Sequence, residues 1–265
     1  MSELVKLKIE NHIATVTLNR ENKKNALSRE MFDAISETGE NLKRDNSVRA
    51  IILTGAGSDF CSGLDTSTFT KWASNFNKVR EELISRPFGD NANWFQKPCH
   101  VWQEIEVPVI AVIKGVALGA GIQLALAADF RIATPDSKFS IMESKWGIIP
   151  DLGISQNLPK LVRADVAKEL IMTGRIFDGK EAFSLGIITK IDQDPLACAN
   201  SFAKTLVEKS PDVLKGAKKL IEECWVAPKG EGLKIEANIQ SRILGYENNV
   251  EAVMATIQKR PAIFK

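Results

Sequence analysis

The chain is short of the residues from which many catalytic centres are built. It has two histidines, His12 and His100, in 265 residues, so a Ser-His-Asp triad, a Cys-His pair or a histidine-rich metal site has little to draw on. His12 falls in a turn before a strand and His100 in a Pro-Cys-His-Val run, and both read as packing or solvated residues. The four cysteines, Cys61, Cys99, Cys198 and Cys224, are scattered without CxxC spacing, which argues against a zinc site and a disulfide framework. No metal is expected. No apolar run reaches the roughly 18 residues of a membrane span. The first residues are not those of a signal peptide, and Phe264-Lys265 matches no retention or lipidation signal. A cytoplasmic protein without membrane contact is the expectation. One-sided charge is lacking too: the formal net charge is +2, with no Lys/Arg-rich run, so a nucleic acid is a poor partner and a small anionic molecule a better one. Repeats and low-complexity segments are absent. If there is chemistry, carboxylates must do it.

What is present is an ordinary globular composition, long enough to bury one large core with a smaller C-terminal appendage. Its organising stretch runs from Val107 to Asp151. Val109 to Lys114 reads as a strand covered on both faces, Gly115, Gly119 and Gly121 as a turn, Ile122 to Ala128 as a helix buried all round, and Phe130 to Ala133 as a second strand. A short alternating run then carries Glu143, and one turn later comes Asp151. A helix opening at Gly119-Ala120-Gly121 offers unpaired N–H groups and the positive end of its dipole. The P-loop pattern fails because Ile122 and Gln123 stand where Lys and Ser or Thr are needed, and no GxGxxG is present. Two readings stay open here: a nest for a small oxyanion, or glycines that let a helix pack closely on a strand.

Upstream, Leu4 to Glu10 and Ile13 to Asn19 alternate around Asn11-His12 as a β-hairpin. Ser28 is placed to cap a helix reaching about Arg44. Val48 to Thr54 reads as a buried strand followed by Gly55-Ala56-Gly57 and by Phe60-Cys61-Ser62-Gly63-Leu64-Asp65, a second small-residue turn past a strand's carboxyl end, where open α/β sheets bind ligands. Residues 66 to 106 carry Trp72, Phe76, Trp94, Phe95 and Trp102 in amphipathic helices around a looser segment from Arg86 to Asp90. They read either as a lid or acyl-chain wall, or as ordinary packing. Downstream, helical patterns cover Leu158 to Val162 and Val166 to Met172, Asp178 caps a further helix, and Ile187 to Ile191 is a last strand. Four helices follow, Pro195 to Lys209, Pro211 to Trp225, Leu233 to Leu244 and Val250 to Lys259, with no strand between them. The expected division is therefore a layered α/β core over 1–195 and a helical region over 196–265.

Several blocks converge on one resemblance. Asn25-Ala26-Leu27, Leu53-Thr54-Gly55, Phe60 to Asp65, Gly115-Val116-Ala117-Leu118-Gly119-Ala120-Gly121, Thr173-Gly174 and Lys259-Arg260 closely resemble, in order and across essentially the whole chain, the crotonase (enoyl-CoA hydratase/isomerase) superfamily. The resemblance implies an α/β fold with a repeated ββα core and a C-terminal helical trimerisation region, assembling as a homotrimer or a dimer of trimers. It implies an acyl-CoA thioester as substrate, no cofactor beyond it, and an oxyanion hole made by the amides of Cys61 and Ala120. It places the CoA moiety against Lys24, Ala26, Gly63, Leu64 and Asp65, with Lys259 as a further candidate for a phosphate contact.

The reaction within that family turns on the carboxylates. The resemblance implies that hydratases carry Glu at the positions of both Gln123 and Glu143, holding and activating water together. Gln123 can orient by hydrogen bonding but cannot exchange a proton at neutral pH. Asp151 stands where hydratases usually have Gly, and the pair Glu143 and Asp151 is similar to that of dienoyl-CoA isomerases, although those normally have Asp at the position of Gln123. Double-bond isomerisation with Glu143 as base and Asp151 as partner acid is the leading expectation. Hydration or thioester hydrolysis using Glu143 comes second, and a non-catalytic CoA-binding or scaffold paralogue third. The competing readings are helix capping after Pro150 for Asp151 and surface charge for Glu143.

Overall fold

The computed structural model describes residues 4–73, 75–86 and 91–265; Pro87 to Asp90 of the expected looser segment lie outside the described residues. Two antiparallel strands open the chain, β1 (Val5–Glu10) and β2 (Ile13–Leu18). Asn11 and His12 between them have φ of 49° and 66°, the left-handed values that a two-residue hairpin turn requires and that Asn tolerates. Helix α1 (Arg29–Lys43) follows, with the Ser28 side chain accepting from the Met31 amide at 3.4 Å. Its Met31, Phe32, Ile35 and Leu42 are buried. Next come β3 (Ala50–Gly55), α2 (Thr66–Ala73), α3 (Phe76–Ile84) and α4 (Lys97–Glu104). The organising stretch contributes β4 (Val109–Ile113), β5 (Val116–Leu118), α5 (Ala120–Leu126), β6 (Phe130–Ala133) and β7 (Lys138–Ser140), then a 3-10 turn over Met142–Trp146. The chain continues through α6 (Ile154–Asn157), α7 (Ala164–Thr173), β8 (Phe177–Asp178), α8 (Gly179–Ser184) and β9 (Lys190–Ile191). Four helices end it: α9 (Pro195–Val207), α10 (Pro211–Cys224), α11 (Lys229–Ser241) and α12 (Glu247–Ile257).

The strands form two layers. The larger sheet has the order β1-β2-β3-β4-β6-β9, parallel after the first hairpin, and the smaller has β5-β7-β8. The chain repeats one manoeuvre: β4 and β6 join the large sheet, while β5 and β7, which directly follow them, turn into the small one. Isolated bridges Leu27↔Leu64 and Cys61↔Ala117 tie the turn after β3 to the same small layer. Side-chain alternation explains the continuous apolar runs. In β3, Ile51 and Leu53 enter the main core, while Ala50 and Ile52 enter a second cluster on the other face with Ile110, Val112 and Ile132. Each fully buried Ile or Leu contributes about 1.5–3 kcal/mol relative to exposure.

Three differences from the sequence reading matter for the site. The glycine turn after β4 contains a strand, β5, because Gly115 (φ 58°) and Gly119 (φ 51°) reverse the chain on either side of it. A Cβ at Gly115 would sit 2.3 Å from Asp59 Oδ1, so only glycine fits. The run expected to carry Glu143 is strand only over Lys138–Ser140, and Glu143 itself sits in the 3-10 turn. Finally, Ala199 and Ala203 of α9 pack into the second cluster against the large sheet. Of the four C-terminal helices, α10 and α11 bury no residue of their own.

Candidate active site

The carboxyl ends of β3 and β4 each run into a turn; Phe60 N–H donates to Lys114 O at 2.9 Å and Leu118 N–H to Cys61 O at 3.0 Å, joining the two, and the loop from Arg20 to Ala26 braces the first. The Asn25 amide donates to Asp59 O at 2.7 Å and Ala56 O at 3.0 Å, while its Oδ1 accepts from the Arg20 amide at 2.9 Å. Arg20 Nη1 donates to Ala26 O at 2.6 Å, and Nη2 pairs with Asp65 Oδ2 at 2.8 Å. Hydrogen bonds from Ser67 and Arg20 hold the Asp65 carboxyl down at about 2, so it is ionised and fully occupied in bracing the loop.

Accounting for the amides of the Cys61–Asp65 turn identifies its free donor. Cys61 N–H donates to Val116 O at 2.9 Å, Ser62 N–H to Lys24 O at 2.9 Å, Gly63 N–H to the Cys61 sulfur at 3.4 Å, and Asp65 N–H to Leu27 O at 2.9 Å. The expected donor Cys61 is therefore corrected: its amide completes the bridge to the small sheet. Leu64 N–H has no acceptor among the described residues. Gly63 O and Asp65 N–H both bond Leu27, so in the alternating geometry of an extended bridge Leu64 N–H points the opposite way, to the side where Leu64 lines a cavity. The Cys61 thiol is inert, donating to Asn25 O at 3.2 Å and pushed up to about 12 by burial.

Facing Leu64 is the start of α5. Gly119 N–H is bonded to Ser140 O at 2.9 Å, while Ala120, the first helical residue, has no amide acceptor among the described residues. A Cβ at Gly63 would lie 2.6 Å from Leu118 O and 3.6 Å from Ala120 N, so the two turns touch and glycine at 63 is what permits it. Their free amides, Leu64 and Ala120, border one cavity of about 520 Å³.

The carboxylates meet the same cavity. Glu143 Oε1 accepts from Gln123 Nε2 at 2.7 Å, and Gln123 Oε1 accepts from the Leu152 amide at 2.9 Å. Gln123 thus clamps Glu143 to the segment that follows Asp151. Glu143 is 6% exposed, so it is no surface charge, and its Oε2 is buried without a hydrogen-bond partner. Burial pushes its carboxyl above the ordinary range, partly offset by its own amide and Gln123, with the Asp151 charge adding to the rise. Asp151 lines the cavity beside it, and burial pushes its carboxyl up too. Asp151 caps no helix: the cap position of α6 is Gly153, and no side chain bonds there. The remaining wall is apolar, with Phe32 of α1, Trp72, Phe76, Val79 and Leu83 of α2 and α3, and Phe95. Trp72, Phe76 and Phe95 of the aromatic insertion therefore line the cavity, while Trp94 and Trp102 do not.

The other expected binding residues divide. Gly63 and Leu64 line the cavity. Lys24 and Ala26 do not; they lie behind the turn, where their carbonyls accept from Ser62 N–H and Arg20, and Lys24 Nζ sits 3.6 Å from Asp59 Oδ2. Lys259 follows α12 and is not a cavity residue. The sequence reading missed Phe32, the amide of Leu152 and the donor role open to Leu64. Among the described residues, no three His, Cys, Asp or Glu gather as metal ligands, and no helix is long and apolar enough to cross a membrane.

An enoyl-CoA hydratase/isomerase family model matches residues 8–265. The chain is 32% identical over 260 residues to mouse (Mus musculus) mitochondrial methylglutaconyl-CoA hydratase, covering 96% of the chain and 79% of that protein. It is 31% identical to the peroxisomal Delta(3,5)-Delta(2,4)-dienoyl-CoA isomerase of Arabidopsis thaliana, covering 99% and 96%. The crystal structure of an enoyl-CoA hydratase from Bacillus anthracis superposes with a TM-score of 0.89 at 28% identity, covering 99% of each chain.

Proposed function

The chain belongs to the enoyl-CoA hydratase/isomerase family, and from that premise we propose that it shifts the double bond of an unsaturated acyl-CoA, with Glu143 as the base and Asp151 as the group that returns the proton. The observation that carries this reading is the pair of carboxyls on one largely apolar cavity, Glu143 buried with an unpartnered oxygen and Asp151 half-buried beside it. Removing a proton beside a thioester builds negative charge on its oxygen. The Leu64 and Ala120 amides supply two preorganised donors for that charge, each worth roughly 10²–10³ in rate at comparable sites. Glu143 Oε2 takes the proton; its raised pKa brings it toward the working pH, which favours proton transfer in both directions. Asp151, raised by the same desolvation, holds a proton more readily than an exposed Asp and delivers it further along the conjugated chain. No cofactor beyond the CoA thioester is needed by this family's chemistry.

Gln123 separates this reading from hydration. Its oxygen is taken by Leu152 N–H and one of its N–H groups by Glu143, so it has no ionisable group with which to activate water. Hydration by Glu143 alone is the second reading, favoured by the hydratase relatives. Incubating the purified protein with 2-enoyl-, 3-enoyl- and 3,5-dienoyl-CoA, while following hydration and diene absorbance, decides between them. Asp151→Asn should suppress the double-bond shift; dominant hydration that Asp151→Asn leaves unchanged overturns the isomerase reading, and silence toward all three substrates leaves a CoA-binding paralogue. A homotrimer or dimer of trimers goes with this proposal, supported by the exposed apolar side chains Val213, Leu233, Val253, Met254 and Ile257 on the C-terminal helices, as does a cytoplasmic location.

A further inference from the structure

A second cavity, of about 510 Å³, lies between α10 and the carboxyl end of α5. Its volume falls within the roughly 300–1,000 Å³ typical of small-molecule sites. It is separate from the catalytic cavity: Ala120 and Gln123 of α5 face the first, while Leu126, Ala127 and Ala128 face the second. Most of its wall is apolar, with Phe130, Leu161, Leu206, Leu214, Ile221 and Trp225.

The charges on that wall do not cancel. Lys160 pairs with Glu222 at 2.5 Å. Lys218 pairs with Asp129 Oδ2 at 2.8 Å and also donates to the Trp102 and Val107 carbonyls. That leaves Arg131, 5% exposed, with no carboxylate at ion-pair distance among the described residues. Its Nε donates to Ile187 O at 2.6 Å and its Nη1 to Ala128 O at 2.5 Å, both neutral acceptors. Nη2 has no acceptor among the described residues. Burial pulls the guanidinium down to about 10, and the neighbouring Asp129 only partly opposes this. A buried guanidinium without a counter-ion is costly, and an anion reaching it from the cavity would relieve that cost.

We propose that this cavity is a binding site for an amphipathic carboxylate, its anionic head on Arg131 and its apolar tail along α10 toward Ile221 and Trp225. The charge count calls for one negative charge, and the lining calls for a hydrocarbon tail rather than a polar metabolite.

The test is titration calorimetry of the purified protein, in its solution assembly, with decanoate as probe and decanol as the uncharged control. Because decanoate could also enter the apolar catalytic cavity, two filling variants separate the sites. Ala217→Trp, on the α10 wall, should remove the decanoate component, whereas Val79→Trp, on the catalytic wall, should leave it in place. Decanol should bind at least tenfold more weakly at this site. Ala217 is exposed on α10, so that variant tests the cavity without altering the buried Arg131; unchanged circular dichroism and melting confirm the fold. Absence of saturable decanoate binding, including absence because assembly covers the cavity, overturns the proposal. So does a component that survives Ala217→Trp, or decanol binding as tightly as decanoate.

Discussion

Replacing Gln123 by Glu puts an oxygen where Nε2 now donates to Glu143 at 2.7 Å, and the consequence depends on pH in a definite direction. Two carboxyls that close can share one proton but cannot both ionise without repulsion. For unit charges about 4 Å apart at an effective dielectric near 20, that repulsion is about 4 kcal/mol, or about 3 pKa units. The Leu152 amide still donates to residue 123 in the variant, so the clamp is kept at low pH with a shared proton in place of the amide hydrogen. The pair titrates as a unit whose second ionisation is raised. A carboxyl raised on folding binds its proton more tightly in the native state. Its contribution is therefore fully present below the ordinary Glu value and lost as pH rises through the raised folded value. At about 2 °C per kcal/mol for a chain of this size, Gln123→Glu should melt within ~2 °C of the parent at pH 5 and ~8 °C below it at pH 8. The assay is thermal unfolding of both proteins across that range, read as the difference at each pH. A gap that does not change with pH, or that is larger at pH 5, refutes the assignment of Gln123 as the neutral clamp on Glu143.

Other expectations follow from the same geometry. With Glu143 ionised as the working base and raised by burial, kcat/KM should fall on the acid side with a midpoint above the ordinary Glu value of about 4.3; a midpoint at or below it contradicts the desolvated base. Gly63→Ala forces a Cβ to within 2.6 Å of Leu118 O at φ +97°, so the Leu64 amide must move and kcat/KM should drop at least ~10²-fold, comparable to losing an oxyanion donor. Full activity in a folded Gly63→Ala protein would remove Leu64 from that role. Arg20→Met should lower Tm at pH 7, because it unpairs an Asp65 held at about 2. A depressed carboxylate stabilises above its unfolded value of ~3.9 and loses that contribution as pH falls toward about 2, so the Tm gap should close in acid; a gap that persists there would show that lost packing, not the ion pair, accounts for it.

Local chemistry made much of the fold readable. Alternation gave β1 and β2, the Ser28 cap gave the start of α1, and runs buried on both faces gave β3 and β4. What stayed hidden depends on distant partners. β5 is three residues between glycines and exists because β7, some twenty residues on, pairs with it. α9 looks like the other C-terminal helices in sequence, yet Ala199 and Ala203 make it a layer on the large sheet. The site divides the same way. Glu143, Asp151 and Gln123 are legible because their side chains are of types that can hold or orient a proton, and the cavity gathers all three. The donor proposed in the second turn is a backbone amide, which every residue there possesses, and only the fold shows that Val116 takes the Cys61 amide and leaves the one at Leu64.

The central claim is that Glu143 Oε2, buried and without a partner, is the base. The direct measurement is the rate of conversion of 3,5-dienoyl-CoA to 2,4-dienoyl-CoA by Glu143→Gln, alongside its affinity for a saturated acyl-CoA. The account predicts a loss of about 10²–10⁴ in kcat with acyl-CoA affinity retained. A rate within tenfold of the parent would contradict it.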